Sequence, residues 1–306
     1  MTYAVYLKPM SAFPEQLSSS TIFGAICSAV AELLGQDEVK TLLPGETLPL
    51  LISSAFPFVR EDGKKIRFFP FPILPSRQSR QGPKKEINFV QEDIFREMIS
   101  SGLSKDAIFA AAEDGIVQGG LLCSRRLDFG IFLDEAPHNL LNRLTCRSEE
   151  IFYRRVAYFK NSGLFFLLKC DASTKSKVEC ALRYLEDSGI GGDISGGFGH
   201  FRFELEEFPD FGERKDAERF LTLSLYLPAR DELDIIKKGS PMYRLVRRGG
   251  RCRDGVMKKS VIMFDHGSTF PLIRKEYIGR VETVRKNPPV VEWGIAYPVR
   301  FREVQT

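Results

Sequence analysis

The sequence predicts an α+β fold in two units, and three observations carry that expectation. At 306 residues the chain exceeds the usual size of one domain and has room for two. Residues 1–207 follow the order strand, helix, strand pair, then strands, helix and a last strand. This is the βαββαβ plan of a ferredoxin-like (RRM-like) unit, opened by a long insertion. After Phe208-Pro209-Asp210-Phe211-Gly212 the pattern starts again, so 208–306 is expected to form a second ferredoxin-like or β-rich unit.

The first strand is read at Tyr3–Leu7. Ser20 or Thr21 is a candidate cap for a helix bearing Ile22, Ala25, Ile26, Ala29, Val30 and Leu33, ended by Gly35. Leu50–Phe56 and Lys65–Phe69 read as two strands around the Glu61-Asp62-Gly63 turn. From about 74 to 142 comes an inserted arm, or thumb, too long to be a loose loop of a compact fold. It holds possible short helices at Glu92–Ile99 and Lys105–Glu113 and a Gln118-Gly119-Gly120 turn. Ile151–Phe159 and Leu164–Cys170 read as a hairpin across Asn161-Ser162-Gly163. Val178, Ala181, Leu182 and Leu185 mark a helix over Lys175–Ser188, and Phe198–Leu205 alternates as a strand. The second unit is read as a strand at Phe220–Leu227, a short helix at Arg230–Lys238, and strands at Tyr243–Arg247, Lys258–Asp265 and Trp293–Phe301.

Composition narrows the class. Hydrophobic residues make up 43% and charged residues 27%, as in ordinary globular proteins, and the net charge of +4 neither requires nor forbids a polyanionic partner. Six scattered cysteines show no zinc-type spacing, so reduced, incidental thiols and no metal are expected. No signal peptide is read at Met1, and the apolar run Leu48–Val59 is short and broken by proline. A cytoplasmic protein with no membrane partner is the expectation.

Between Gly189 and Gly199 the chain reads GIGGDISGGFG, six glycines in eleven residues. Glycine packs nothing and loses the most entropy on ordering, so such a run is suited to close approach by another molecule. It follows a helix and precedes a strand, the reverse of a dinucleotide-binding turn, and lacks the Lys-Ser/Thr of a P-loop. Two readings remain: a phosphate- or RNA-binding loop, or a surface for packing against another chain. Lys237–Lys259 holds nine basic residues and one acid, with Arg247, Arg248 and Arg251 around Gly249-Gly250. Guanidinium groups grip phosphate in a bidentate way, and this density favours RNA contact over a merely solvated hairpin. Arg143, Thr145, Arg147 and Ser148 could position a backbone. A further basic stretch from Arg60 to Lys85 is either a grip on a backbone or a solvated loop. No histidine among His138, His200 and His266 has a nucleophile and base at a recognisable spacing, and only His200 is near the loop in sequence. A non-enzyme without cofactor is expected; the alternative is a metal-independent endoribonuclease using His200.

An ordered set of motifs carries a resemblance. Thr21-Ile-Phe-Gly-Ala25, Ser53-Ser-Ala-Phe-Pro57, Phe69-Pro-Phe-Pro72 and Gly189–Phe201 are followed by Leu223-Ser-Leu-Tyr-Leu-Pro228. Tyr243-Arg-Leu-Val-Arg-Arg-Gly-Gly-Arg251 and Gly267-Ser-Thr-Phe270 complete it. Together they resemble the RAMP superfamily of CRISPR proteins, and within it the fourth-subunit family of type III-A (Csm) effector complexes. The resemblance implies two ferredoxin-like units, a thumb in the first, and a glycine-rich loop at the RNA surface. It also implies that the partners are the 5′ tag of CRISPR RNA (crRNA), the large polymerase-domain subunit and a backbone subunit. Related guide-processing nucleases often carry a histidine on the first helix. Thr21–Leu34 has none, which favours the non-catalytic branch. On this reading Gly191, Gly192, Ser195, Gly196, Gly197 and Gly199 allow close backbone approach, and Phe198 supports the loop. His200, Arg143, Arg147, Arg247, Arg248 and Arg251 hold phosphates and splayed bases.

Overall fold

Strand β1 (Thr2–Pro9) shows why the first half folds around a central sheet. Residues 2–7 are buried on both faces, and strand alternation divides them between two cores. Tyr3, Val5 and Leu7 enter one core with the helices α1 (Ser19–Leu34) and α4 (Ala172–Ser188). Ala4 and Tyr6 enter the other, with Phe165, Leu167 and the C-terminal residues Leu221, Leu223 and Val299. Each fully buried Val, Leu or Phe among them contributes about 1.5–3 kcal/mol. In a computed structural model of the chain, residues 1–73, 87–102, 115–142, 144–192, 194–211, 216–252 and 255–302 are described. Arg143, the helix read at Lys105–Glu113, and Arg77, Arg80, Lys84 and Lys85 of the basic stretch lie outside them.

The strands after β1 are β2 (Phe13–Pro14), β3 (Leu50–Ile52), β4 (Phe56–Glu61), β5 (Lys64–Pro70), β6 (Phe89–Gln91), β7 (Ile116–Gln118) and β8 (Leu121–Cys123). Then come β9 (Gly130–Leu141), β10 (Ser148–Lys160), β11 (Ser162–Cys170) and β12 (Phe201–Glu207). The large sheet runs β12-β1-β11-β4-β5-β6-β8-β7, with β3 also on β11. The first four strands are antiparallel neighbours, joined through α1 and α4, which pack on one face. The two remaining helices of this half are α2 (Gln36–Lys40) and α3 (Glu92–Ser101).

Three sequence expectations are corrected. Leu50–Phe56 is not one strand: the backbone leaves the ladder at Ser53–Ala55, and β4 forms its hairpin with β5 at Asp62-Gly63. The cap of α1 is Ser18, whose Oγ accepts from the Thr21 N–H, which frees Ser19, Ser20 and Thr21 for long-range bonds. The 151–170 hairpin is absent. β10 instead pairs antiparallel with β9, while β11 enters the large sheet. The chain therefore leaves along β9, turns at 142–147 and returns along β10 as a two-stranded arm, steadied at its base by β2 on Val156 and Ala157.

Beyond residue 216 follow β13 (Arg219–Thr222), the short helix α5 (Glu232–Lys238), β14 (Leu245–Arg251) and β15 (Met257–Phe264). β16 (Thr269–Pro271), β17 (Gly279–Arg285), β18 (Val290–Ile295) and β19 (Pro298–Phe301) complete the chain. The ladders are β16-β13-β19, β14-β15 and β17-β18. Reciprocal bonds between Tyr226 and Phe264 backbones link the chain leaving β13 to β15. The strand read at Trp293–Phe301 divides at Ala296-Tyr297 because its two ends serve different ladders. The β17–β18 hairpin was not read from the sequence at β17, where Arg280, Glu282 and Arg285 interrupt the apolar pattern.

The two halves meet at the first turn of α1. Ser19 Oγ accepts from the Leu225 N–H (3.0 Å), and Ser20 Oγ accepts from the Trp293 N–H (3.0 Å) and donates to buried Glu292. Phe23 stacks on Trp293 with ring centroids 4.1 Å apart.

Candidate nucleic-acid interface

Helix α4 begins at Asp171, whose carboxylate accepts from the Thr174 N–H (2.7 Å), and ends at Gly189. The glycine run then divides into two kinds. Gly199 has φ +77° and is buried, and a Cβ there would collide with the Ile190 carbonyl oxygen. Its N–H donates to Ala12 O (2.8 Å) and its carbonyl accepts from the Ile190 N–H (3.0 Å), closing the loop. A Cβ on Gly191 would stand 2.8 Å from Pro14 Cγ. Gly189 and Gly199 therefore answer to the fold, and Gly191 to the contact with β2. Gly192 and Gly197 have open space where a side chain would be and form the accessible lip, with Gly197 at φ +84°. Ile194–Gly196, including Ser195, makes one 3-10 turn closed by the Gly197 N–H on Ile194 O (2.9 Å).

A ring stack stands against this lip. His138 of β9 and Phe152 of β10 are paired across the arm and lie parallel, with centroids 5.4 Å apart and planes at 14°. Phe198 meets His138 edge-on at 5.2 Å. The guanidinium of Arg154 lies over the Phe152 ring, 5.0 Å from its centroid. A Cβ on Gly196 would be 3.4 Å from His138 Cε1. His138 Nε2 is buried without a hydrogen-bond partner among the described residues. This corrects the reading that only His200 is near the loop. His200 is half-buried and held through its backbone by Ser11 Oγ (3.0 Å) and the Met10 N–H (2.8 Å). The arm's register brings His138 in, and seeing that in the sequence requires placing the hairpin tip at Asn142–Arg147.

At that tip Asn142 Oδ1 accepts from the Leu144 and Thr145 N–H groups, and Arg147 is exposed. The tip begins four residues beyond His138 of the His138–Phe152 pair, about 13 Å along the strand. The C-terminal arginines separate by strand alternation. Arg247 points outward beside Ile262, with no ion-pair partner among the described residues. Arg248 turns inward, its Nη2 donating to Thr21 Oγ1 (2.8 Å) while Nε is buried without a partner. Arg251 donates to Gly255 O (3.0 Å). Much of the basic density is neutralised: Lys258 pairs with Glu292, Lys259 with Glu282 and Arg244 with Asp265. Arg60, Lys65 and Arg67 are likewise paired, with Glu204, Glu206 and Glu92.

Burial opposes ionisation of Asp265, but hydrogen bonding and charge from His266, with Arg244 beyond, outweigh it and hold the carboxyl down at about 2. No group of three or more His, Cys, Asp or Glu residues among the described residues is arranged to hold a metal ion. No described helix is long and apolar enough to cross a membrane.

Comparison with known proteins bears on the fold and on the kind of chain. Residues 215–300 match the CRISPR Csm4 C-terminal domain family. The CRISPR system protein Csm4 of Thermococcus onnurineus (strain NA1) is 25% identical over 249 residues, 81% of this chain and 79% of the relative. A chain of the crystal structure of the Csm3–Csm4 subcomplex in the type III-A CRISPR–Cas interference complex has TM-score 0.63 at 18% identity, covering 99% of this chain and 100% of that one. A chain of the Csm1–Csm4 cassette in complex with AMPPNP gives 0.62 at 19%, covering 100% and 99%. The two structures speak to the fold, and the domain match and the sequence relative to the kind: the chain is Csm4-like, similar to the Csm4 proteins of CRISPR systems.

Proposed function

We propose that this chain is a non-catalytic RNA-binding subunit of a type III-A Csm effector complex. It anchors the 5′ tag of the crRNA and bridges the large polymerase-domain subunit to a backbone subunit. On this reading residues 1–207 form a ferredoxin-like unit with an inserted thumb, and 208–306 a second, ferredoxin-like or β-rich unit. The observation that carries it is the open glycine lip facing a stack of His138, Phe152 and Phe198. Backbone amides free of side chains admit a phosphate chain, and the half-buried rings offer edges and faces on which unstacked bases pack. Relatives named in complexes with Csm1 and with Csm3 support the bridging role.

Arg147 and Arg247 are exposed and outside the fold's cores, so reversing their charge tests the reading cleanly. Arg147→Glu with Arg247→Glu weakens retention of tagged guide RNA and flattens its salt dependence, the log–log slope falling by about one for each phosphate no longer neutralised. Unchanged binding in a salt titration sinks the assignment. One observation favours a second reading, metal-independent cleavage of repeat RNA: the unpartnered Nε2 of His138 beside the loop. Discrete cleavage of repeat RNA in chelator, abolished in His138→Ala, selects it over anchoring.

A further inference from the structure

The glycine loop and the root of the arm are held by one strap. Across residues 10–14 the Met10 N–H donates to His200 O (2.8 Å), Ala12 O accepts from the Gly199 N–H (2.8 Å), and Pro14 stands against Gly191. The same strap ends in β2, which pairs with Val156 and Ala157 at the base of the arm. Phe13 is fully buried between the two, edge-on to Phe159 of β10 at 6.3 Å and to Phe201 of β12 at 6.4 Å. The root is also tied to its surroundings, with Asn161 Nδ2 donating to Asp128 O (3.4 Å) and Ser162 Oγ to Gly130 O (2.9 Å). Loop and root are therefore fixed relative to each other.

The outer arm is not. From Leu133 to Arg155 every described residue is exposed except Ala136, His138, Asn142 and Phe152, apart from the base residues beyond them. Asn142 turns on its own tip, and Phe152 stacks on His138. His138 reaches the loop, at Phe198 (5.2 Å between centroids) and Gly196. A two-stranded ribbon without a packed face is marginal in water, so little resists bending beyond the base. Pro137, beside His138, brings no N–H to the ladder. The closing contact is small: an edge-on ring pair whose His138 Nε2 is buried without a partner among the described residues. Burying that nitrogen unpaired offsets what the rings gain. Small as it is, the contact leaves no gap, since a Cβ on Gly196 would stand 3.4 Å from the imidazole. Nothing passes between loop and stack until the arm lifts.

We infer that the arm is a hinged clamp over the glycine loop, bending beyond the β2 contact and latched by His138 on Phe198. The closed form exchanges with an open one in the free chain, in which Gly196, Phe198 and the inner face of the arm are uncovered together. A strand laid along the loop enters in the open form and is gripped when the ring stack returns. That use of the clamp rests on the RNA reading above; the hinge itself does not.

Two native thiols can carry the reporters. Cys146 at the arm tip and Cys180 on α4 are exposed, whereas Cys123 and Cys170 are buried. With Cys27→Ser and Cys252→Ser in place, nitroxide labels on Cys146 and Cys180 give the distance from arm to body by pulsed electron resonance. It is measured in the full chain alone and, after labelling and assembly, in the complex holding guide RNA. The free chain should show two distances, and Phe198→Ala and His138→Ala, which remove the latch from either side, should each raise the longer-distance share about threefold. Ile151→Ala, on the arm's opposite face, should leave both shares unchanged. Guide RNA should replace the two distances by one. A single distance that neither latch variant moves overturns the clamp; if guide-RNA retention nevertheless falls in both variants, the RNA reading stands without it. Two distances that respond to both variants, with guide RNA retained equally by all, keep the clamp and remove RNA from its grip.

Discussion

Within eleven residues, glycines of one sequence motif do unlike work. Gly199 combines a left-handed backbone with a carbonyl in the space a Cβ would need, whereas Gly192 has neither constraint. Gly199→Ala should cost about 2–3 kcal/mol of stability, while Gly192→Ala should stay within about 0.5 kcal/mol, as read by urea unfolding. The second variant thus reports on ligand contact alone. Glu292 makes a similar point for charge. It is 1% exposed and shared between Lys258 and Ser20, so Lys258→Ala leaves a buried carboxylate without its cation. A loss of about 3 kcal/mol is expected, larger than for any exposed pair in the chain. Asp265 carries a pH signature. Its folded carboxyl is depressed below the unfolded value, so the stabilisation is complete above about pH 4 and lost as pH falls through about 2. Wild type should lose about 2 kcal/mol more than Asp265→Asn across that interval, measured by chemical unfolding at each pH.

Among the elements, the arm stands apart from both cores. Its strands expose Leu133, Leu140, Leu141, Ile151 and Tyr153, and it is held at its base, by β2 on Val156 and Ala157, and where His138 meets Phe198. Exposed apolar surface on this scale marks a place for a partner rather than a contribution to folding. Replacing residues 136–154 by a two-residue Asn-Gly turn should leave the thermal midpoint within about 2 °C, because the strand pairing from Glu135–Arg155 to the base persists. The same change should reduce guide-RNA retention by the assembled complex, since it removes His138 and Phe152 from the lip.

At the scale of the molecule, the halves do not have separable interiors. Ala4, Tyr6, Phe165 and Leu167 of the large sheet share one core with Leu221, Leu223, Tyr297 and Val299, and Trp293 sits in the core beneath α1. Cutting the chain at its sequence boundary exposes both sides of that core. Residues 1–211 expressed alone should aggregate, while the whole chain should unfold in one cooperative transition by calorimetry. A soluble, sharply melting fragment would contradict this account.

Much of this was legible in the sequence because it is written in local pattern. The 3.6-residue repeat of Val178, Ala181, Leu182 and Leu185, the alternation through Tyr3–Leu7 and the glycine run each set local backbone geometry without help from distant residues. Pairing is not written that way. Ile151–Phe159 is a strand by composition, but whether it joins Leu164–Cys170 or Gly130–Leu141 depends on which ladder buries more surface, a comparison between distant segments. That choice carried His138 to the loop. Strand alternation likewise split Arg247 from Arg248, adjacent in sequence and on opposite faces in space. By itself, then, the sequence determined the elements and the glycine loop, through periodicity and backbone sterics. Only the tertiary structure decided which glycines stay open, which arginines remain unpaired and which histidine meets the loop, because those depend on neighbours far along the chain.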